Sequence, residues 1–427
     1  MSTVILGGGI IGSAIAYYLS ADNPEGEIHI VEQSSELFNS ASGYAAGFLA
    51  RDWFEPSLSP LGALSFDLHR QLAAEQGGDE KWGFMKGTAF NLDMVPGRNR
   101  DGPQGDDWLR EGTSRAETAA SSNDPMAAEW PVWLTKQQGG ILERISQNET
   151  VAQVDPLRLS RFLIDAAVSR GVKLHNPAKA TTVVKDDDGS ITGITVVSLE
   201  SQTGTTIPCT NLVLSSGAWT PLVLKDLFPS HQASLNITPL AGYSLVVRSP
   251  RHTLDHERLT HGGRAHAVFT THPHSCGFSP EIFTRKGGEI YIAGLNPMIE
   301  LPCCAEDAKQ LFDPAEMQKL KDVAVRLMGD LAKGWTESTD HVSNINDLEI
   351  IREGLCFRPV GATDVPTIGR ISDASLGGGV KAAAKGGVYI AAGHGPWGIS
   401  LSLGTGKVIS EMLNGQQTSA DVSELAI

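Results

Sequence analysis

The sequence predicts an α/β fold built on a Rossmann-like dinucleotide-binding core, and three observations predict it. A short apolar run, Val4-Ile5-Leu6, opens into Gly7-Gly8-Gly9-Ile10-Ile11-Gly12. A second apolar run over 28–31 closes on an acid, Glu32, which is followed by Gln33. A later run, Leu212-Val213-Leu214, ends in the small residues Ser215-Ser216-Gly217-Ala218 and then Trp219, as a central parallel strand does where it meets a ligand.

Each part of the opening unit has a mechanical reason. Gly7 lets the chain leave the strand in a tight turn, Gly9 lets backbone approach a pyrophosphate, and Gly12 lets the next helix pack close to the sheet. The helix over 10–20 would then present unpaired N–H groups at Ile10 and Ile11 to that pyrophosphate. Glu32 follows Gly12 by twenty residues, where a carboxylate can accept from both hydroxyls of an adenosine ribose.

The remaining elements follow in order. The stretch Asn39-Ser40-Ala41-Ser42-Gly43-Tyr44-Ala45-Ala46-Gly47 is small and polar enough for backbone to run beside a ligand. A helical pattern covers 61–76, and 77–148 reads as irregular, an excursion from the nucleotide-binding part. Asp155-Pro156 starts a helix that Gly171 ends. A strand is expected over 172–175, and a hairpin over 181–199 turning at Asp188-Gly189-Ser190. Residues 238–296 alternate like antiparallel strands, and 313–331 read as helix. Gly387-Val388-Tyr389-Ile390-Ala391-Ala392 reads as a buried strand, and the loop 393–398 leads to a helix over 399–413 that Asn414-Gly415 stops.

Composition excludes several classes. Forty-nine Asp and Glu against 34 Lys and Arg leave an acidic surface with no general attraction for nucleic acid or anionic lipid. No apolar run approaches the roughly twenty residues of a membrane span. With the first strand so near residue 1, the expected location is cytoplasmic. Five cysteines, at 209, 276, 303, 304 and 356, form neither a disulfide framework nor a C-x-x-C metal spacing, so no metal is expected.

Taken together, the glycine-rich unit, Ala45-Ala46-Gly47, Val154-Asp155-Pro156, Ser215-Ser216-Gly217-Ala218-Trp219, Phe357-Arg358-Pro359 with Pro366-Thr367-Ile368-Gly369, and Gly393-His394-Gly395 resemble a known family. It is the D-amino-acid oxidase, glycine oxidase and sarcosine oxidase family of FAD-dependent oxidoreductases, and within it the chain most resembles a fungal branch. The resemblance implies a discontinuous FAD-binding domain over 1–76, 149–225 and 351–427. A substrate domain of mixed or antiparallel sheet plus helices would comprise 77–148 and 226–350. It implies FAD as cofactor and a small amine or amino acid as substrate, with hydride passing from the α-carbon to flavin N5 and oxygen accepting the electrons. Two alternatives stay open: a dehydrogenase using another acceptor, and a trafficking or binding protein with structural FAD.

The resemblance also distributes roles. Gly7, Gly9, Ile10, Ile11, Gly12, Glu32, Gln33, Ser42, Ala45, Ala46 and Gly47 would hold the cofactor, with Ala180 at the adenine and Ser216, Gly217 and Trp219 at the strand end. Gly393, His394, Gly395 and Gly398 would bring the helix N-terminus at Ile399 to the flavin pyrimidine ring, where it stabilises developing negative charge. Arg358 would clamp a substrate carboxylate, since a guanidinium fork binds both oxygens. Cys356 sits where some members carry covalent flavin. Glu281 replaces a substrate-facing Tyr and could bind a substrate ammonium, and His394 is a further catalytic candidate. Ile292 falls where sarcosine oxidase has a Lys near N5, which puts oxygen reactivity in doubt. Gly242-Tyr243-Ser244-Leu245 is similar to a motif of D-amino-acid dehydrogenases and sharpens that doubt.

Overall fold

In the computed structural model, residues 2–23, 25–94, 126–137, 139–147, 149–259, 262–271, 276–331, 344–361 and 365–427 are described. Ser2–Leu6 is buried along its whole length, as a strand covered on both faces must be. It pairs in parallel with Asn211–Leu214 on one side and Glu27–Val31 on the other. Lys173–His175 and Gly387–Ala392 extend the two edges in parallel, and Thr367–Ile371 closes the six-stranded sheet antiparallel.

The helices Ile10–Asp22 and Gly398–Leu413 cover one face of this sheet. They approach closely because Gly406 has no side chain: a Cβ there would lie 2.6 Å from the carbonyl carbon of Ala14. Helix Pro156–Ser169 joins them, its Asp155 cap accepting from the N–H of Arg158 at 3.0 Å. The other face is covered by a three-stranded antiparallel sheet of Ala178–Lys185, Ile191–Ser198 and Gly204–Pro208. There Val4, Leu6 and Leu212 pack with Ala178 and Ile194.

The second large sheet runs Glu349–Gly361, Ile237–Arg248, Glu289–Ala293, Glu281–Arg285, Ala265–Thr270, Met85–Asp93, Ile141–Arg144 and Met126–Ala127. Its pairs are antiparallel except Ala265–Thr270 with Met85–Asp93. Alternation splits its side chains between two cores. Leu245, Val247, Ile282, Ile290 and Ile292 pack under helix Pro314–Met328. Val246, Phe283, Tyr291 and Ala293 face the nucleotide-binding part beside Phe48 and Trp397.

Three expectations meet different geometry. Residues 77–148 were expected to be irregular, yet Gly78–Lys81 is helical and Met85–Asp93 is a nine-residue strand of the large sheet. Its end is buried on both faces, which hides the polar alternation that marks a half-exposed strand. Residues 95–125, 138 and 148 of that excursion lie outside the described residues. Residues 351–361, expected with the FAD-binding part, run in the large sheet against Ile237–Arg248, because thirteen extended residues find a partner of similar length there.

The third is Ile292. It is fully buried and belongs to the core under helix Pro314–Met328. Its neighbours Tyr291 and Ala293 take the opposite face by strand alternation. Its identity therefore carries no information about a flavin-facing cation.

Candidate functional site

A cavity of about 470 Å³ lies between the carboxyl ends of the parallel strands and the inner face of the large sheet. That is where open α/β sheets bind ligands. Its floor is the opening unit. Gly7 takes φ +108°, and a Cβ there would lie 2.6 Å from the Ser215 carbonyl oxygen, so glycine alone fits both the turn and the contact. At Gly12 a Cβ would lie 2.0 Å from the carbonyl oxygen of Gly7, which is how this helix seats on the strand.

Glu32 is held from two sides. Its carboxylate accepts from the N–H of Gly8 at 2.8 Å and of Ser34 at 2.9 Å, which fixes its direction at the strand end. The N-terminus of Ile10–Asp22 has no side-chain cap at Gly9, and the Ile10 N–H donates to Ser42 Oγ at 2.9 Å. At the other end of the cavity, Gly398–Leu413 also begins without a side-chain cap.

The cavity brings nearly all the sequence-derived candidates together. Gly7, Gly9, Ile10, Ile11, Glu32, Gln33, Ser42, Ala45, Ala46, Ala180, Ser216, Gly217 and Trp219 line it. So do Glu281, Cys356, Arg358, His394, Gly395, Gly398 and Ile399. Gly12, Gly47 and Gly393 stand one layer back. Gly47 (φ +92°) packs on the Val154 carbonyl, and Gly393 (φ +84°) lies beside Ile237 and Pro366.

Among the polar side chains, Arg358 is held by Asn296, whose Oδ1 accepts from Nη1 at 2.7 Å. Glycine at 242 leaves room for it, since a Cβ there would lie 2.2 Å from that same Nη1. Glu281 is 9% exposed, on the strand Glu281–Arg285, three strands along the sheet from that of Arg358. The His394 ring is engaged with Thr405 Oγ1 at 3.1 Å, and burial pushes its pKa down to about 3, so it is neutral at ordinary pH. Cys356 is buried. Burial raises its thiol pKa against the opposing pull of Arg358 and Arg352, so the thiol keeps its proton.

Asn296 and Tyr291 line the cavity without having been singled out from sequence. The signal for Tyr291 was the alternation of Tyr291 and Ala293 in one short strand, readable only once the strand's partners are known. In the motif 242–245, Tyr243 points to the far core, where its hydroxyl accepts from the Asp313 N–H at 2.7 Å. That motif is accounted for by packing and by clearance for Arg358.

Two sheets, a cavity at the strand ends, and uncapped helix N-termini at both its ends define a dinucleotide-dependent enzyme. The family described as FAD dependent oxidoreductase matches residues 2–412, and the chain belongs to it. FAD is thus its cofactor, and the cradle fits one: glycine contacts that a Cβ would fill, two uncapped helix starts and a pinned acid.

A relative from Schizosaccharomyces pombe, named an oxidoreductase, is 25% identical over 99% of this chain and 96% of its own length. A Saccharomyces cerevisiae relative, also named an oxidoreductase, is 23% identical over 99% and 93%. The fold is shared with glycine oxidase from Geobacillus kaustophilus, with a TM-score of 0.70 at 21% identity over 99% of this chain and 97% of that one. L-proline dehydrogenase from P. horikoshii shares it at 0.69 and 15%, over 100% and 96%. Among the described residues no helix is long and apolar enough to cross a membrane.

Proposed function

We propose that the chain oxidises the C–N bond of an amino acid or N-substituted amino acid, giving an imine that hydrolyses to an oxo acid and an amine or ammonia, with oxygen accepting the electrons. The observation that carries the reading is Arg358, a partly buried guanidinium on the cavity wall oriented by Asn296. It suits a carboxylate through two parallel hydrogen bonds. Glu281 lines the same cavity and is taken to receive the substrate's ammonium, giving a clamp for both ends of a zwitterion.

FAD supplies acceptance of a hydride at N5. The chain's own residues bind and orient the amino acid, exclude water from an apolar cavity, and set a helix N-terminus at Gly398 where negative charge develops. The names of the structural neighbours, glycine oxidase and L-proline dehydrogenase, belong to enzymes of small amines bearing a carboxylate, which supports this class. Ile292 lies on the far side of the sheet and bears on the choice of acceptor in neither direction.

The test is anaerobic titration of the purified flavoprotein with primary and secondary amino acids of both chiralities, followed by admission of oxygen. Bleaching of the oxidised-flavin band, then recovery with peroxide formation, is the expected course. Arg358→Ala should keep FAD yet lose about ten- to a hundredfold in kcat/KM, the scale of a charged hydrogen bond. Equal loss on amines without a carboxylate would show that the role is wrong. Glu281→Gln should weaken amino acids specifically, and an unaltered preference would remove Glu281 from the clamp.

A further inference from the structure

Four successive carbonyls of segment 43–46, of which Tyr44, Ala45 and Ala46 line the cavity, are each held by a side chain from outside it. The Arg352 Nη1 donates to the Gly43 oxygen at 2.9 Å, and the Tyr291 hydroxyl donates to the Tyr44 oxygen at 3.0 Å. Arg285 Nη2 donates to the Ala45 oxygen at 2.7 Å and the Ala46 oxygen at 3.1 Å. Gln153 Nε2 also reaches the Ala46 oxygen, at 2.6 Å. Three of these four side chains come from three strands of the large sheet.

The arrangement has a direction. Ala45 and Ala46 line the cavity, whereas Arg285 and Arg352 do not. A trans peptide is planar, so a carbonyl fixed toward the sheet turns the following N–H the opposite way. The carbonyls held by Arg285 are thus drawn to the side away from the cavity, which turns the Ala46 N–H toward it, while the N–H groups of Gly43 and Tyr44 donate to the Ser40 carbonyl.

It also carries charge. Arg285 is 4% exposed and lies over the Tyr291 ring at 5.0 Å, and Arg352 lies over the Tyr44 ring at 5.1 Å. Arg285 Nε and Arg352 Nη2 are buried with no hydrogen-bond acceptor among the described residues. Burial, and then the proximity of Arg352, pull the Arg285 pKa below its usual value against Asp155, yet a guanidinium remains charged. Two incompletely compensated cations therefore stand one peptide layer behind the cavity wall, where field is weakly screened.

We propose that Arg285, Tyr291 and Arg352 are positioning residues that tune the flavin: by holding the carbonyls of segment 43–46 they fix the Ala45-Ala46 backbone at the cavity wall and lend it positive potential, making the cofactor easier to reduce. This rests on FAD binding and on no particular amine, so an error about the substrate leaves it standing. Its test likewise needs no substrate.

The midpoint potential and visible spectrum of the FAD-loaded protein would be measured for the parent, Arg285→Met, Arg285→Lys, Arg352→Met and Tyr291→Phe. Arg285→Met should lower the reduced-to-oxidised ratio at a fixed dye poise at least tenfold, about 30 mV for a two-electron couple. Arg352→Met should shift it in the same direction. Arg285→Lys keeps the charge and loses the fork, so it should retain most of the potential while altering the spectrum. Tyr291→Phe should alter the spectrum with little change in potential. Parental potential and spectrum in Arg285→Met, with only lower thermal stability, would overturn the proposal. Should Arg285→Met not retain FAD, parental potential in Arg352→Met together with a parental spectrum in Tyr291→Phe would overturn it equally.

Discussion

Gly242 and Arg358 are fitted to each other across two antiparallel strands: the pairing sets Gly242 opposite Cys356, and the guanidinium occupies the space a Cβ would need. The clashing atom is the far end of a flexible side chain, so Gly242→Ala should fold and bind FAD while displacing Arg358. KM for a carboxylate substrate should rise by about tenfold or more, the scale of one charged hydrogen bond, with the thermal midpoint little changed. Steady-state kinetics beside a melting curve separate the two effects. At Cys356, a thiol whose pKa burial raises is a poor nucleophile toward flavin. Acid precipitation of the holoprotein should leave a colourless pellet and a yellow supernatant, and Cys356→Ser should stay yellow. Coloured protein in the pellet would show a bond the thiol's environment argues against.

The helix Gly398–Leu413 is flanked by two buried neutral histidines. His69 Nε2 meets the Ile399 carbonyl at 3.0 Å, so it carries its proton there, and His394 meets Thr405. Burial pushes their pKa values down to about 4 and about 3. Both lie below the value of about 6.5 expected for an unfolded chain, so on acidification the unfolded state takes up protons first. Stability should be full above about pH 6.5 and fall as pH drops toward 4, each histidine contributing up to about 1.4 kcal/mol per pH unit. Denaturant midpoints between pH 7 and 5 check this. His69→Gln should flatten the slope, and an unchanged slope would assign the acid sensitivity elsewhere. The helix itself was legible in sequence, because Gly393-His394-Gly395 and Asn414-Gly415 bracket an apolar run. Its contact with Ile10–Asp22 through Gly406 was not, since the partner lies almost four hundred residues away.

At the scale of the whole molecule, the readable features were local. The α/β class, the glycine-rich turn and the capped helix at Asp155 each sit in one short stretch whose spacing states its geometry. Which face of a strand meets the cavity depends on pairing, and pairing is non-local. That is why Ile292 was expected near a flavin it turns its back on, and why Arg285, Tyr291 and Arg352 drew no attention until their strands were side by side. The same separation governs how the protein comes into being. The central strand Asn211–Leu214 has neighbours beginning at residues 2 and 387, so one edge stays bare until most of the chain has been made. At about 5–20 residues per second, a ribosome would leave that apolar edge uncovered for on the order of ten seconds or more. Newborn chains therefore need shelter from one another, and the cradle can take its cofactor only after Gly387–Ala392 and the helix behind it have emerged.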